Sequence, residues 1–328
     1  MRYCLLIISI LSAATFLPAC GNKCQTKDKY LVVTTFAGMA NRLRLLASAK
    51  IMAALTGRQL VVDWPILENE MPGAWKDFFQ NPIITYEESP LAKQGCRLEN
   101  ITSAESDSVI KNLGNQNYKD ARKVLNFLPQ LQEPIVYFAS SLNFQPDEQF
   151  MPASEYVFKR SLWYKNLDPI PWINDSIKAF KKAHKFDDYY MIGIHYRGWQ
   201  MGAPDVRDAG APDQSNKYVA EFITKMKAAL AKPLSDTNNK PVAFYLSTDN
   251  EKAKADIIAV PEFKDRVFAR SEKADRSTIK GQQSDMVDFF LLGATNYIIG
   301  TYQSSFSDEA AHLTVQDRKE DIGEAVYK

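Results

Sequence analysis

Residues 30–36, YLVVTTF, are apolar or β-branched throughout, the pattern of a strand buried on both faces. After the short loop AGMAN, apolar positions recur at Leu43, Leu46, Ala47, Ile51, Ala54 and Leu55. That is the spacing of one helix face, and Gly57 closes it. RQLVVDW predicts the next strand. A strand, a helix and a strand within about 30 residues make a βαβ unit, whose strands pair in parallel.

Alternation returns near residue 189. YYMIGIHY predicts a strand and NKYVAEFITKMKAALA an amphipathic helix. PVAFYLST predicts a strand, DNEKAKADIIA a helix and DRVFA a short strand. SDMVDFFLLGA predicts a helix, NYIIGT a strand and SSFSDEAAHL a helix. Between residues 66 and 165 only PIVYFAS (134–140) reads clearly as a strand, and the pieces over 66–130 cannot be ordered. Pro169 and Pro171 punctuate the chain and suggest a boundary. The fold class expected is α/β: two doubly wound Rossmann-like domains, 26–168 and 169–328, facing a cleft.

The first 20 residues read as an export signal. Arg2 supplies the positive start, Leu5 to Leu17 an uncharged apolar run, and Pro18 ends it. The run falls short of the roughly 20 residues that span a bilayer. LPAC resembles a bacterial lipobox, which would make Cys20 the lipidated first residue of the mature chain. A eukaryotic signal anchor is the rival. Either way the protein is expected to be exported: membrane-attached by a lipid or anchor, periplasmic or secreted, or held in the secretory lumen.

Of the other cysteines, Cys4 lies in the signal, leaving Cys24 and Cys96 as either a disulfide or two free thiols. No CxxC or His-rich cluster is present, so no metal site is expected. Lys plus Arg number 40 against 39 Asp plus Glu, so there is no overall basic footprint for nucleic acid. No G-x-G-x-x-G follows a predicted strand, which argues against a Rossmann dehydrogenase.

In open α/β sheets, ligands meet the carboxyl ends of the strands. The residues found there are Gly38, Asn41 and Arg42, then His195 and Arg197, then Ser247, Thr248, Asp249 and Asn250. The last group is Gly300, Thr301, Ser304 and Ser305. Helix N-termini and arginine favour an anion such as a nucleotide phosphate. Each residue also has a plain structural reading: Gly38 as a turn, Asn41 as a helix cap, His195 as a core histidine, STDN and the serines as caps. Their shared position at successive strand ends is what makes a site.

GMANRLRLLASAKIMAALTGRQLVVDW, IGIHYRG, FYLSTDN and VDFFLLGATNYIIGTYQSSFSDEAA occur in that order between residues 31 and 312. Together they resemble the motifs of the GDP-fucose-dependent fucosyltransferases, the superfamily of α1,6-, α1,2- and protein O-fucosyltransferases. The resemblance implies a glycosyltransferase-B fold and an inverting, metal-independent enzyme with no cofactor beyond the co-substrate GDP-fucose. Its partners would be that nucleotide sugar and a glycan or protein acceptor.

Residue by residue, the resemblance implies that Arg197 meets the diphosphate, with His195 beside it. Asp249, with Thr248, would lie near the base. Thr301, Ser304 and Ser305 would sit in the phosphate segment. Gly38, Asn41 and Arg42 would sit in the loop that closes over the donor. Two departures stand out: Gln200 where many members are acidic, and Ala40 where a second glycine is common. Asp205, Asp208 and Asp213, in the loop GAPDVRDAGAPD, are either the acceptor base or solvated loop acids. The rival functions are the same fold with another nucleotide-sugar donor, and an exported lipoprotein that binds nucleotide or glycan without turnover.

Overall fold

In the computed structural model, residues 24, 26–98, 129, 132, 134–198, 215–231, 237, 239–272, 275–314 and 319–322 are described. Cys20 and the export signal, Gln200, Asp205, Asp208 and Asp213 lie outside them. Among the described residues, eight strands form two sheets, and every neighbouring pair is parallel.

The first sheet has the order β2-β1-β3: β1 is Tyr30–Thr35, β2 Gln59–Asp63 and β3 Ile135–Ser140. Helix α1, Met39–Leu55, makes the crossover from β1 to β2. Side chains alternate along β1. Leu31 and Val33 join the core that contains Leu43, Leu46 and Ala47 of α1. Tyr30 and Val32 face the other way, into a smaller cluster with Tyr86, Leu91 and Cys96.

Cys24 and Cys96 are joined by a disulfide, with Cα atoms 5.2 Å apart, and the bond ties the start of the described chain to that cluster. It closes a loop across a sequence separation of 72. Removing it with Cys24→Ser should lower unfolding stability by about 4 kcal/mol, read as a lower denaturant midpoint.

The second sheet has the order β6-β5-β4-β7-β8: β4 is Tyr190–Tyr196, β5 Val242–Thr248, β6 Val267–Ala269, β7 Tyr297–Thr301 and β8 Lys319–Ile322. Central β4 is buried along its whole length. Two helices absent from the sequence expectations precede it, α2 (Ala153–Lys165), whose hydrophobic pattern is weak, and α3 (Pro171–Ala183), which is strongly amphipathic. Pro171, expected only to break the chain, occupies the first turn of α3, where its missing N–H leaves no bond unmade.

α2 packs on α1, and α3 packs on α6 (Ile279–Gly293), which begins five residues earlier than the pattern suggested. The other crossovers are α4 (Ser215–Ala231), α5 (Glu251–Ile258) and α7 (Ser305–Ala311).

The two faces of β4 decide the site. Tyr190, Ile192, Ile194 and Tyr196 point into a core with Val219, Phe222 and Met226 of α4. Met191, Gly193 and His195 have the opposite parity. Gly193 permits close packing there: a Cβ would stand 2.9 Å from Thr295 Oγ1 and 3.0 Å from Leu292 Cδ2. The α6 side of the sheet is thus drawn in tightly just before the strand delivers His195 and Arg197.

Candidate active site at the carboxyl end of the central strand

Parallel register aligns the ends of β4, β5 and β7. Tyr196 pairs with Thr248, and His195 with Ser247 and Gly300. As strand alternation requires, Tyr196 turns away, fully buried with its ring edge-on to Phe222. His195 turns to the α6–α7 side, stacked on Phe306 with ring centroids 5.1 Å apart.

Two hydrogen bonds knit the strand ends together. Thr301 Oγ1 donates to the His195 carbonyl at 3.0 Å and accepts from the Arg197 backbone N–H at 2.9 Å. Asp249 Oδ1 accepts from the Gly198 N–H at 2.7 Å. Gly198 fits closely there, since a Cβ would sit 3.0 Å from Asn250 Cβ.

The electrostatics centre on Arg197. Its pKa falls from 12.5 to about 10, chiefly through burial and then through the charge of Arg276; Asp249 and Asp285 pull the other way. The surroundings therefore disfavour this cation relative to water, and an incoming anion would relieve that. His195 is held neutral, its pKa driven well below the ordinary value by burial, then by Arg197, Lys319 and Arg276.

Asp285 is pushed up from 3.8 to about 7 by burial and the nearby Asp288 and Asp249, against the pull of Arg276 and Arg197. Its carboxylate stands 4.0 Å from the Arg276 guanidinium. Arg276 and Asp285 were missed in the sequence. They lie 79 and 88 residues beyond Arg197, and no local motif joins them to it.

Several expectations need correcting. Arg42 does not face a donor. It is fully buried, donating to the carbonyls of Ala37 (2.9 Å) and Pro65 (2.8 Å) and lying over the Trp64 ring. It braces the loop of Gly38 and Asn41 from within. Asn41 is not the cap of α1; Gly38 holds that position and its carbonyl accepts from the Asn41 and Arg42 N–H groups.

Thr301 is 1% exposed with its hydroxyl committed to backbone, so it positions Arg197 rather than offering itself to phosphate. Ser304 stands at the start of α7, yet its hydroxyl caps nothing and is buried without a hydrogen-bond partner. His195 Nδ1 is in the same condition. Such atoms are rare enough to need a reason, and both lie at this strand end.

Thr248 accepts from the Asn250 N–H, and Asn250 caps α5 by accepting from Ala253. Asp249 itself is exposed, and Ser305 half-exposed.

His195, Arg197, Asp249 and Thr301 are therefore bound into one unit, with Ser304 a few residues on. Gly38 and Asn41 belong to the other sheet. α1, which Gly38 caps and whose first turn holds Asn41, meets α7 at Arg44, which pairs with Asp308 (2.9 Å) and Glu309 (2.5 Å). Among the described residues no group of three or more His, Cys, Asp or Glu is placed to share a metal ion.

The sequence matches no family model, and no curated protein matches it. Solved structures do. The Bradyrhizobium fucosyltransferase NodZ superposes with a TM-score of 0.59 at 22% identity, over 88% of this chain and 94% of its own. NodZ α1,6-fucosyltransferase soaked with GDP-fucose gives 0.58 at 20% identity, over 88% and 93%. Arabidopsis thaliana FUT1, solved with GDP, gives 0.59 at 15%, over 88% and 69%. The chain shares their fold. Two parallel sheets flanked by helices are the glycosyltransferase-B-type arrangement that the sequence motifs implied.

Proposed function

We propose that this protein transfers fucose from GDP-fucose to a glycan or protein acceptor. The observation that carries the reading is Arg197. Its backbone is clamped by Thr301 at the carboxyl end of a fully buried central strand, beside a neutral histidine, and its surroundings disfavour its charge. The shared fold supports GDP-fucose as donor, because NodZ α1,6-fucosyltransferase has been soaked with it and POFUT1 solved in complex with it.

In the proposed reaction an acceptor hydroxyl attacks the anomeric carbon from the face opposite the diphosphate. The bond from that carbon to the phosphate oxygen breaks, both electrons leave with GDP, and the configuration inverts. The hydroxyl proton passes to a base, for which Asp205 and Asp208 remain the candidates. Arg197 meets the charge that grows on the leaving diphosphate, the role of a preorganised cation. The reading requires no metal ion. The N-terminal signal pattern adds the proposal that the protein is exported, which a disulfide such as Cys24–Cys96 would suit.

The test is a donor screen: GDP-fucose, GDP-mannose and UDP-sugars by thermal shift, then release and transfer of labelled sugar with and without EDTA. Stabilisation by GDP-fucose and EDTA-resistant transfer are expected. Binding without release of sugar would leave a binding protein instead, and preference for another donor would reassign the substrate.

A further inference from the structure

We propose that Glu309 is a positioning residue for the Arg197 site: its buried carboxylate locks α7 to the helices of the first sheet, and through Phe306 it holds His195 and Arg197 in place. The inference rests on the fucosyl-transfer reading above.

Glu309 is 1% exposed. Its carboxylate accepts from Arg44 Nε at 2.5 Å, from Arg160 of α2, and from the Tyr164 hydroxyl at 2.5 Å. Burial pushes its pKa up, but the charges of Arg160 and Arg44 win and hold it below the ordinary value. The neighbouring Asp308 accepts from Arg44 (2.9 Å) and Lys319 (2.5 Å).

A buried ion cluster like this is weak evidence of stability, since apolar side chains would pack as well. What it supplies is direction. Bonds to both carboxylate oxygens, from two helices, fix where α7 sits along its axis and how it is turned.

That matters because α7 carries Phe306, the ring stacked on His195. The turn leading into α7 is held at a cost. Gln303 has φ +55°, left-handed for a residue with a side chain. Such a turn persists where its surroundings fix both ends. Thr301 fixes one end through the backbone of His195 and Arg197, and Glu309 fixes the other. Loosening α7 would therefore reach Arg197 along two routes, ring and backbone.

The experiment is calorimetric titration of GDP and of guanosine into wild type, Glu309→Gln, Arg44→Lys and Phe306→Leu, with a melting curve for each. Because Arg197 acts on phosphate and not on the nucleoside, GDP affinity should fall about tenfold or more while guanosine affinity stays within about twofold. A purely structural role would lower the melting temperature and leave the ratio of the two affinities unchanged.

If Glu309→Gln does not fold, Arg44→Lys keeps the charge but not the fork geometry, and with Phe306→Leu it carries the test. Folded variants in which both affinities fall together, or in which neither changes, overturn the inference. A wild type that binds GDP no more tightly than guanosine overturns the transfer reading itself, and this inference with it.

Discussion

Arg197→Ala should slow release of fucose from GDP-fucose roughly a hundredfold, equivalent to about 3 kcal/mol of transition-state stabilisation. Arg197 enters the site from a backbone clamped by Thr301 and followed by Gly198, itself held by Asp249. The backbone that carries the guanidinium is thus set before any ligand arrives. Charge fixed in advance needs no reorganisation as the leaving group develops its own.

Arg197→Lys should recover little, because a lysine cannot present two parallel N–H donors to a diphosphate. Initial-rate measurements of labelled-fucose release check both. Full activity in both variants would remove Arg197 from the mechanism.

Asp285→Asn should stabilise the protein strongly at pH 8 and clearly less at pH 5. The folded-state pKa of Asp285 is about 7, above the ordinary 3.8, so the folded state keeps a proton that the unfolded chain releases. The contribution is complete below pH 3.8 and is lost progressively as the pH rises to about 7. Above that, the wild type bears a largely desolvated ionised carboxylate, a penalty on the order of 4 kcal/mol. Asparagine cannot ionise and escapes it. Thermal unfolding at the two pH values should show a rise in melting temperature of about 5 °C or more at pH 8. An equal shift at both would mean that ionisation is not the cause.

Much of the architecture was legible because buried parallel strands are apolar throughout, as β1, β4, β5 and β7 are. α2 was not, for a reason visible in its residues. Its buried positions Tyr156, Arg160 and Tyr164 recur every four residues and are polar, while Val157, Phe158 and Leu162 are exposed. The helix buries the donors that Glu309 needs, so its hydrophobic pattern is inverted. The first turns of α6 hid likewise, since buried Gln282 serves the carbonyls of Glu70 and Arg276. β8, KEDI, has only Ile322 in the core.

The site divided along the same line. Residues at strand ends were legible because topology places them: His195, Arg197 and Asp249. What a side chain does there was not. Arg42 and Thr301 look like ligand groups in the sequence but serve carbonyls and backbone N–H groups. Asp285 and Arg276 reach Arg197 only through folding.

The most direct measurement is calorimetric titration of GDP against GMP into wild type and Arg197→Ala. The wild type should favour GDP by about tenfold or more, and the variant should lose that preference while still binding GMP. Equal affinity for the two nucleotides in the wild type, or an undiminished preference in the variant, would contradict it.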